Sequence, residues 1–222
     1  MAKGYGQYCP IAKASEIFAE RWTPLILRNI HVGAHTFTEI AAGCPRISTT
    51  LLSHRLQGLE RAGVIERQSG RYHLTPAGRE LVDVVLRLGT WGARWVELAP
   101  EDYDPFVVLW AWKMHVVLDR LPQPRVVLAV NLRDRPKDRF WLLLQQPEAE
   151  LCVKHPGYDE DLVLTTDSRT LTLVHMGRRS AAEAELEGSW RLDGPPKLVR
   201  ALPSWGGLHS TFAGVEPART AP

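Results

Sequence analysis

Ser48-Thr49-Thr50-Leu51-Leu52-Ser53-His54-Arg55-Leu56-Gln57-Gly58-Leu59-Glu60-Arg61-Ala62-Gly63 is the stretch that decides the fold. Leu52, Leu56 and Leu59 recur at helical spacing and give one apolar stripe. Ser48 suits the N-cap of this helix and Gly63 its stop, so the segment reads as a helix from Ser48 to Ala62. Thr49, Thr50, Ser53, His54 and Gln57 then point away from the core. A helix anchored by leucines, with small polar residues at the start of its outer face, enters a groove without steric clash.

The flanks extend the pattern in both directions. Upstream, Phe37–Ala42 reads as a short helix, begun near Thr36 and closed by Gly43-Cys44-Pro45. Before it lie two further helices. One runs from Ile11 to Glu20. The next is started by Thr23 as N-cap with Pro24 in the first turn, where a missing N–H costs nothing, and Gly33 ends it. Downstream, Val64–Arg67 and Tyr72–Leu74 are strand-like around Ser69-Gly70, the glycine a tight hairpin wants. Thr75-Pro76 repeats the cap-plus-proline signal, and a long helix runs to about Leu98. Its apolar positions, among them Leu81, Val84, Val85, Leu88, Trp91 and Trp95, exceed what a small domain needs for its own core. This stripe is expected to pack on another chain or on the second half.

That order, with a polar-tipped helix followed by a basic hairpin, is a winged helix-turn-helix. The major groove is wide enough for the polar-tipped helix, and a hairpin beside it reaches flanking phosphates. Thr49, Thr50, Ser53 and His54 are the candidates for base edges. Arg46, Ser48 and Arg55 sit near the helix start or flank, where phosphate contact is expected, and Arg67 and Arg71 tip the hairpin. Arg55 has a second option, pairing with Glu39 or Glu60. For the hydroxyls the alternative is ordinary capping and exposure.

Charge agrees with this order. The 222 residues carry a net charge of only +2, but residues 21–79 hold 8 Arg against 3 Glu. A basic region inside a near-neutral chain suits a partner with phosphates. The composition, 45% hydrophobic and 23% charged, is that of an ordinary soluble protein. No basic leader with a long apolar run opens the chain, and the most apolar stretch, Phe106–Trp112, is too short to span a bilayer. A cytoplasmic protein is the expectation. The three cysteines, Cys9, Cys44 and Cys152, form no disulfide framework, and no C-x-x-C pair or spaced histidine set suggests a metal. No G-x-S-x-G, phosphate loop or H-E-x-x-H supports an enzyme, so neither cofactor nor catalytic residues are expected.

Pro100–Pro105, acidic and proline-flanked, reads as a linker. Beyond it the signals change: an apolar helix over Phe106–Arg120; strands over Arg125–Leu132, Phe140–Gln145, Glu150–Lys154 and Asp161–Thr166; a helix capped by Asp167 running to about His175; a short helix near Ser180–Glu185; a strand through Glu187–Leu192; and a last helix opened by Gly194-Pro195-Pro196. This is an α+β domain. The divisions expected are 1–99, a linker at 100–105, a second domain at 106–204 and a loose tail at 205–222.

The first half resembles a known family. Cys9-Pro10-Ile11, Arg21-Trp22-Thr23-Pro24-Leu25-Ile26-Leu27-Arg28, Phe37-Thr38-Glu39-Ile40 and Ile47-Ser48 are similar to HxlR-type winged-helix regulators. So are Leu51-Leu52, Arg55-Leu56, Leu59-Glu60, Gly63-Val64-Ile65 and Tyr72-His73-Leu74-Thr75-Pro76-Ala77-Gly78-Arg79-Glu80-Leu81. The resemblance covers about residues 8–98. It implies a bacterial regulator, a homodimer on double-stranded DNA with a pseudo-palindromic operator, joined through its terminal helices. Cys9 aligns with a cysteine that some members use for redox or electrophile sensing. The alternative for Cys9 is a small residue packed at the dimer contact.

The second half, over about 105–202, resembles the sterol-carrier-type lipid-binding fold. Asp161–Asp167 carries the resemblance, together with Glu187-Gly188 and Trp190-Arg191-Leu192-Asp193-Gly194-Pro195. It implies an apolar cavity between sheet and helices holding a hydrophobic small molecule. Trp110, Trp141, Leu143, Leu173, Met176 and Trp190 are candidates for its lining, although alternating apolar residues also simply fill cores. The expected function is a ligand-modulated regulator. The alternatives are a lipid or metabolite carrier whose N-terminal half only dimerises, and a thiol sensor working through Cys9.

Overall fold

In the computed structural model, residues 4–205 and 207–218 are described. The chain forms two compact units that part between Thr90 and Trp91, inside one long helix.

The first unit contains α1 (Pro10–Phe18), α2 (Thr23–His31), α3 (Phe37–Ala42), α4 (Thr49–Arg61), β1 (Ile65–Gln68), β2 (Arg71–Leu74) and the start of α5 (Pro76–Trp95). Its core takes Ile26, Leu27 and Ile30 from α2, Ile40 from α3, and Leu52, Leu56 and Leu59 from α4, none more than 2% exposed. β1 and β2 form a two-stranded antiparallel hairpin, with Arg67 opposite Tyr72 and Gln68 opposite Arg71. Both turn residues, Ser69 and Gly70, have positive φ (49° and 81°), the backbone a two-residue turn needs to match the twist of its strands. One detail departs from the sequence expectation. Thr23 is not the cap of α2 but its first residue, fully buried, and Trp22 precedes it with a left-handed φ of 80°. The Arg21 guanidinium lies 5.3 Å from the Trp22 ring.

α5 has two apolar faces. Gly78, Val82 and Val85 are buried, whereas Val84, Leu88, Trp91 and Trp95 recur at helical spacing on an adjoining face and are about half exposed.

The second unit contains α6 (Pro105–His115), β3 (Arg125–Leu132), β4 (Arg139–Gln145), β5 (Glu150–Cys152), β6 (Leu162–Thr166), α7 (Ser168–His175), α8 (Ala181–Leu186), β7 (Arg191–Asp193) and α9 (Pro196–Trp205). The five strands stand in the order β5-β4-β3-β6-β7. β3, β4 and β5 form an antiparallel meander, β6 lies parallel to β3, and β7 closes the far edge antiparallel. Val126, Leu128, Val130, Leu142, Leu144, Leu162 and Leu164 form one core with α6, α7 and α9. Val127, Ala129, Trp141 and Leu143 form a second cluster on the other face. The β5–β6 connection must cross that face to reach the far side of β3, and it is fastened there. Trp141 Nε1 donates to Glu160 Oε1 at 2.8 Å, Val127 N–H donates to Asp161 Oδ2 at 2.8 Å, and Arg125 stacks on Tyr158.

Several boundaries differ from expectation for local reasons. The helix expected over 106–120 stops at His115: Val116 is extended, and Val117 N–H donates to Trp205 O. The strand expected from Glu187 is only Arg191–Asp193, because Glu187 caps α8 and Gly188 (φ 72°) turns the chain. The tail is not loose where it is described. Trp205 is fully buried, Ser210 N–H donates to His175 O, and Ala218 N–H donates to Arg94 O. Gly206 and residues 219–222 lie outside the described residues. No helix of the described residues is long and apolar enough to cross a membrane.

Candidate nucleic-acid interface

Three elements meet around α4. Ser48 caps it as expected, its Oγ accepting from Leu51 N–H at 3.3 Å. With Leu52, Leu56 and Leu59 buried, Thr49, Thr50 and His54 are exposed and Ser53 is half-buried on the outer side. Thr50, His54, Gln57 and Arg61 continue along one exposed stripe at i, i+4, i+7 and i+11. Arg61 is absent from the sequence-derived set; extending the outer stripe by one turn finds it. Arg46 is exposed in the turn before the helix.

Arg55 behaves differently from its expected phosphate role. Its guanidinium pairs with Glu20 Oε2 at 2.5 Å, and its Nε donates to Arg21 O at 3.2 Å. It is thereby committed to the α1–α2 junction, and its partner is neither Glu39 nor Glu60.

The α3–α4 turn is held from inside. Asn29, fully buried on α2, donates to Ile40 O at 2.9 Å and to Cys44 Sγ at 3.3 Å, and its Oδ1 accepts two bonds from Arg28. Arg28 also donates to Gly43 O at 2.9 Å. Burial pulls the Arg28 guanidinium below its ordinary pKa. Burial pushes the Cys44 thiol up, against the opposing influence of Arg28 and Asn29. A buried, satisfied network of this kind fixes one arrangement of the turn. Sequence reading missed it because the partners of Arg28 and Asn29, at Ile40, Gly43 and Cys44, are set by packing and not by local pattern.

The hairpin is stitched to the same frame. Tyr72 N–H donates to His35 O at 2.7 Å, His35 Nδ1 bonds Tyr72 O at 2.8 Å, and the His35 and His73 rings stack at 4.8 Å. Thr36 and Glu39 form a capping box at α3. Burial opposes the charge of Glu39, but N–H groups of Thr36 and His35, the Thr36 hydroxyl and the charge of Arg71 hold its carboxyl below the usual range. Arg67 and Arg71 are both exposed, Arg67 lying 5.5 Å from the Tyr72 ring. At the hairpin's base, Thr75 Oγ1 donates to Gly63 O and Val64 O and accepts from Gly78 N–H.

The other sequence-derived candidates are distributed as follows. Cys9 is half-buried at the N-cap position of α1, without a side-chain capping bond. Trp141 and Leu143 lie on the strapped face of the second unit's sheet, whereas Trp190 belongs to the helix-covered core. Trp110 is buried on α6, Leu173 is half-buried on α7, and Met176 is half-buried just past its end. The structure therefore does not bring all six together. Among the described residues, no group of three or more His, Cys, Asp or Glu side chains is placed to hold a metal ion.

A helix-turn-helix with an exposed polar helix face and an arginine-bearing hairpin beside it is a DNA-reading unit of the winged-helix class. A family model described as HxlR-like helix-turn-helix matches residues 17–100. The HTH-type transcriptional regulator YvaP of Bacillus subtilis is 32% identical over 99 residues, covering 41% of this chain and 92% of that protein. This chain belongs to the HxlR-like helix-turn-helix family of transcriptional regulators, which are not enzymes. The regulator Rv3095 of Mycobacterium tuberculosis is 36% identical over 91 residues, covering 37% of this chain and 56% of that one. Among solved structures, quinone-bound YodB from B. subtilis is 34% identical with a TM-score of 0.35, covering 38% of this chain and 96% of that chain.

Proposed function

We propose that this regulator works as a cytoplasmic homodimer on a pseudo-palindromic operator and is modulated by a hydrophobic small molecule held in its second unit. Thr49, Thr50, Ser53 and His54 read base edges. Arg46, Arg67 and Arg71 take phosphates, and Ser48 presents the N-terminus of α4 to the backbone. Arg55 is left out of the phosphate set because Glu20 holds it. The observation that carries the reading is the bond between Tyr72 and His35, which ties the arginine hairpin to the helix-turn-helix so that hairpin and α4 present their polar residues from one frame.

Self-association is supported by the apolar stripe of Val84, Leu88, Trp91 and Trp95 left exposed on α5. The effector is supported by the α+β, sterol-carrier-like character of the region assigned as 106–204, after the domain at 1–99 and the linker at 100–105. We place the effector on the helix-covered side of the sheet with Trp190, which excludes Trp141 and Leu143. Cys9 serves as packing in this scheme. A Cys9→Ser variant whose DNA affinity no longer responds to oxidant would instead make it the sensor.

The test is the salt dependence of duplex binding. Removing one phosphate-binding side chain lowers the slope of log K against log[salt] by about 0.9. Arg67→Ala and Arg71→Ala together remove two side chains from each protomer of the dimer and are expected to lower it by roughly 3.6 and to weaken binding to all sequences alike. Thr50→Ala or His54→Ala is expected to relax sequence preference and leave the slope in place. An unchanged slope in the double arginine variant refutes the hairpin's role. A chain with no salt-dependent duplex affinity at all favours a carrier that merely dimerises.

A further inference from the structure

A cleft of about 170 Å³ opens between α1 and α4 in the first unit, separate from any effector site in the second. Glu16 lines it from α1 and Glu20 from the connection between α1 and α2. Ile17 and Leu59 give it apolar surface, and Arg55 and Gly58 line it from α4. His54, one of the residues assigned to DNA, is at its rim. A cavity of roughly 150 Å³ suffices for one benzene-sized ring, so the cleft takes a single-ring molecule. A Cβ built on Gly58 meets nothing within 4 Å, so the space beside that glycine is open.

Charge selects the ligand. Arg55 is already committed to Glu20 and to Arg21 O. Arg55 and Glu20 thus satisfy each other, and the charge that faces a ligand from α1 is the Glu16 carboxylate. Glu16 is held by Tyr5 N–H and by Lys13 at 3.1 Å, but that lysine is 55% exposed on the outside of α1. Such a surface pair is weak and exchanges easily. We propose that this cleft is a binding site for a small aryl-alkyl ammonium ion. The cation replaces Lys13 on Glu16, and the ring rests on Ile17 and Leu59 in the space beside Gly58. Occupancy wedges α1 against the flank of α4, next to Arg55 and His54, so the ligand acts on the helix that reads DNA.

Benzylamine is the probe, titrated into the full chain without DNA and followed by ligand-observed NMR, with uncharged benzyl alcohol as its isostere. The expected result is saturable binding of benzylamine that weakens at least about tenfold in Gly58→Leu, which fills the cleft, and in Glu16→Gln, which removes the anion. Glu16 is half-buried and accepts from Tyr5 N–H, so thermal unfolding checks both variants. Benzyl alcohol is expected to bind the wild type no better than benzylamine binds Glu16→Gln. Absence of saturation in the wild type, unchanged affinity in either variant, or equal binding of the alcohol overturns the proposal. None of these readouts involves DNA, so they succeed or fail independently of the operator and second-unit effector readings.

Discussion

Replacing Gly78 by alanine in the first turns of α5 tests how the hairpin is mounted. In an exposed helix interior the change stabilises by up to about 1 kcal/mol, because alanine has the better helix propensity. At Gly78 the added Cβ would stand 2.1 Å from Val64 O, 3.2 Å from Val64 C and 3.3 Å from Leu74 Cδ2. The first of these is backbone, so no side-chain rotation relieves it; α5 or the hairpin base must move by roughly 1 Å. Val64 O is also the acceptor for both Thr75 N–H (3.1 Å) and Thr75 Oγ1 (3.0 Å), the bonds that join the start of α5 to the hairpin. Overpacking of this kind costs about 1–3 kcal/mol, and each bond loosened adds about 1 kcal/mol. Set against the propensity gain, the net is a destabilisation of about 2–4 kcal/mol. Gly58→Ala is the control: open space surrounds its Cβ, and its sign is expected to be stabilising. Urea unfolding followed by circular dichroism reads both. A Gly78→Ala protein as stable as the wild type, or one stabilised alongside Gly58→Ala, refutes the argument that α5 and the hairpin approach too closely for a methyl group.

Val84→Glu combined with Trp91→Glu places two charges on the apolar stripe of α5 and is expected to give monomers by light scattering, with the first unit still folded; a persistent dimer means self-association uses another surface. His175 is buried, and that burial, partly offset by its bond to Leu208 O and reinforced by the charges of His115 and His209, lowers its pKa to about 4. Between pH 6.5 and 4 the unfolded chain takes up a proton that the folded one refuses. The associated stability is therefore fully present above pH 6.5 and falls as pH drops toward 4, by about 2 kcal/mol at pH 5. Urea unfolding at pH 7 and pH 5 is expected to show that loss, and a His175→Gln variant is expected to lose less over the same interval. Equal slopes in the two proteins would remove His175 as the cause.

The helix that carries the leucines of α4 was legible because its three buried positions and its serine cap agree. The hairpin was legible because Ser69-Gly70 allows a positive φ at both turn positions. Arg55 was not, since its partner Glu20 lies far back along the chain beside another helix, and only packing decides which of several carboxylates it meets. In the second unit, the strands were placed closely but their faces were not. Val126–Val130 is apolar at both parities, so alternation gives no sign of which side the helices cover. That ambiguity is why Trp141 and Trp190 were grouped although they lie in separate clusters. The crossing of the β5–β6 connection, which buries the second face, depends on strand order and has no local signature.

The pair of hydrogen bonds between His35 and Tyr72 acts as a caliper. On the proposed reading, the zone met by α4 and the zone met by the arginine hairpin are separated by a span that these two bonds hold. Duplexes must then conform to it. Base pairs lying between the two zones influence affinity through how readily they bend or narrow, although no side chain reaches them.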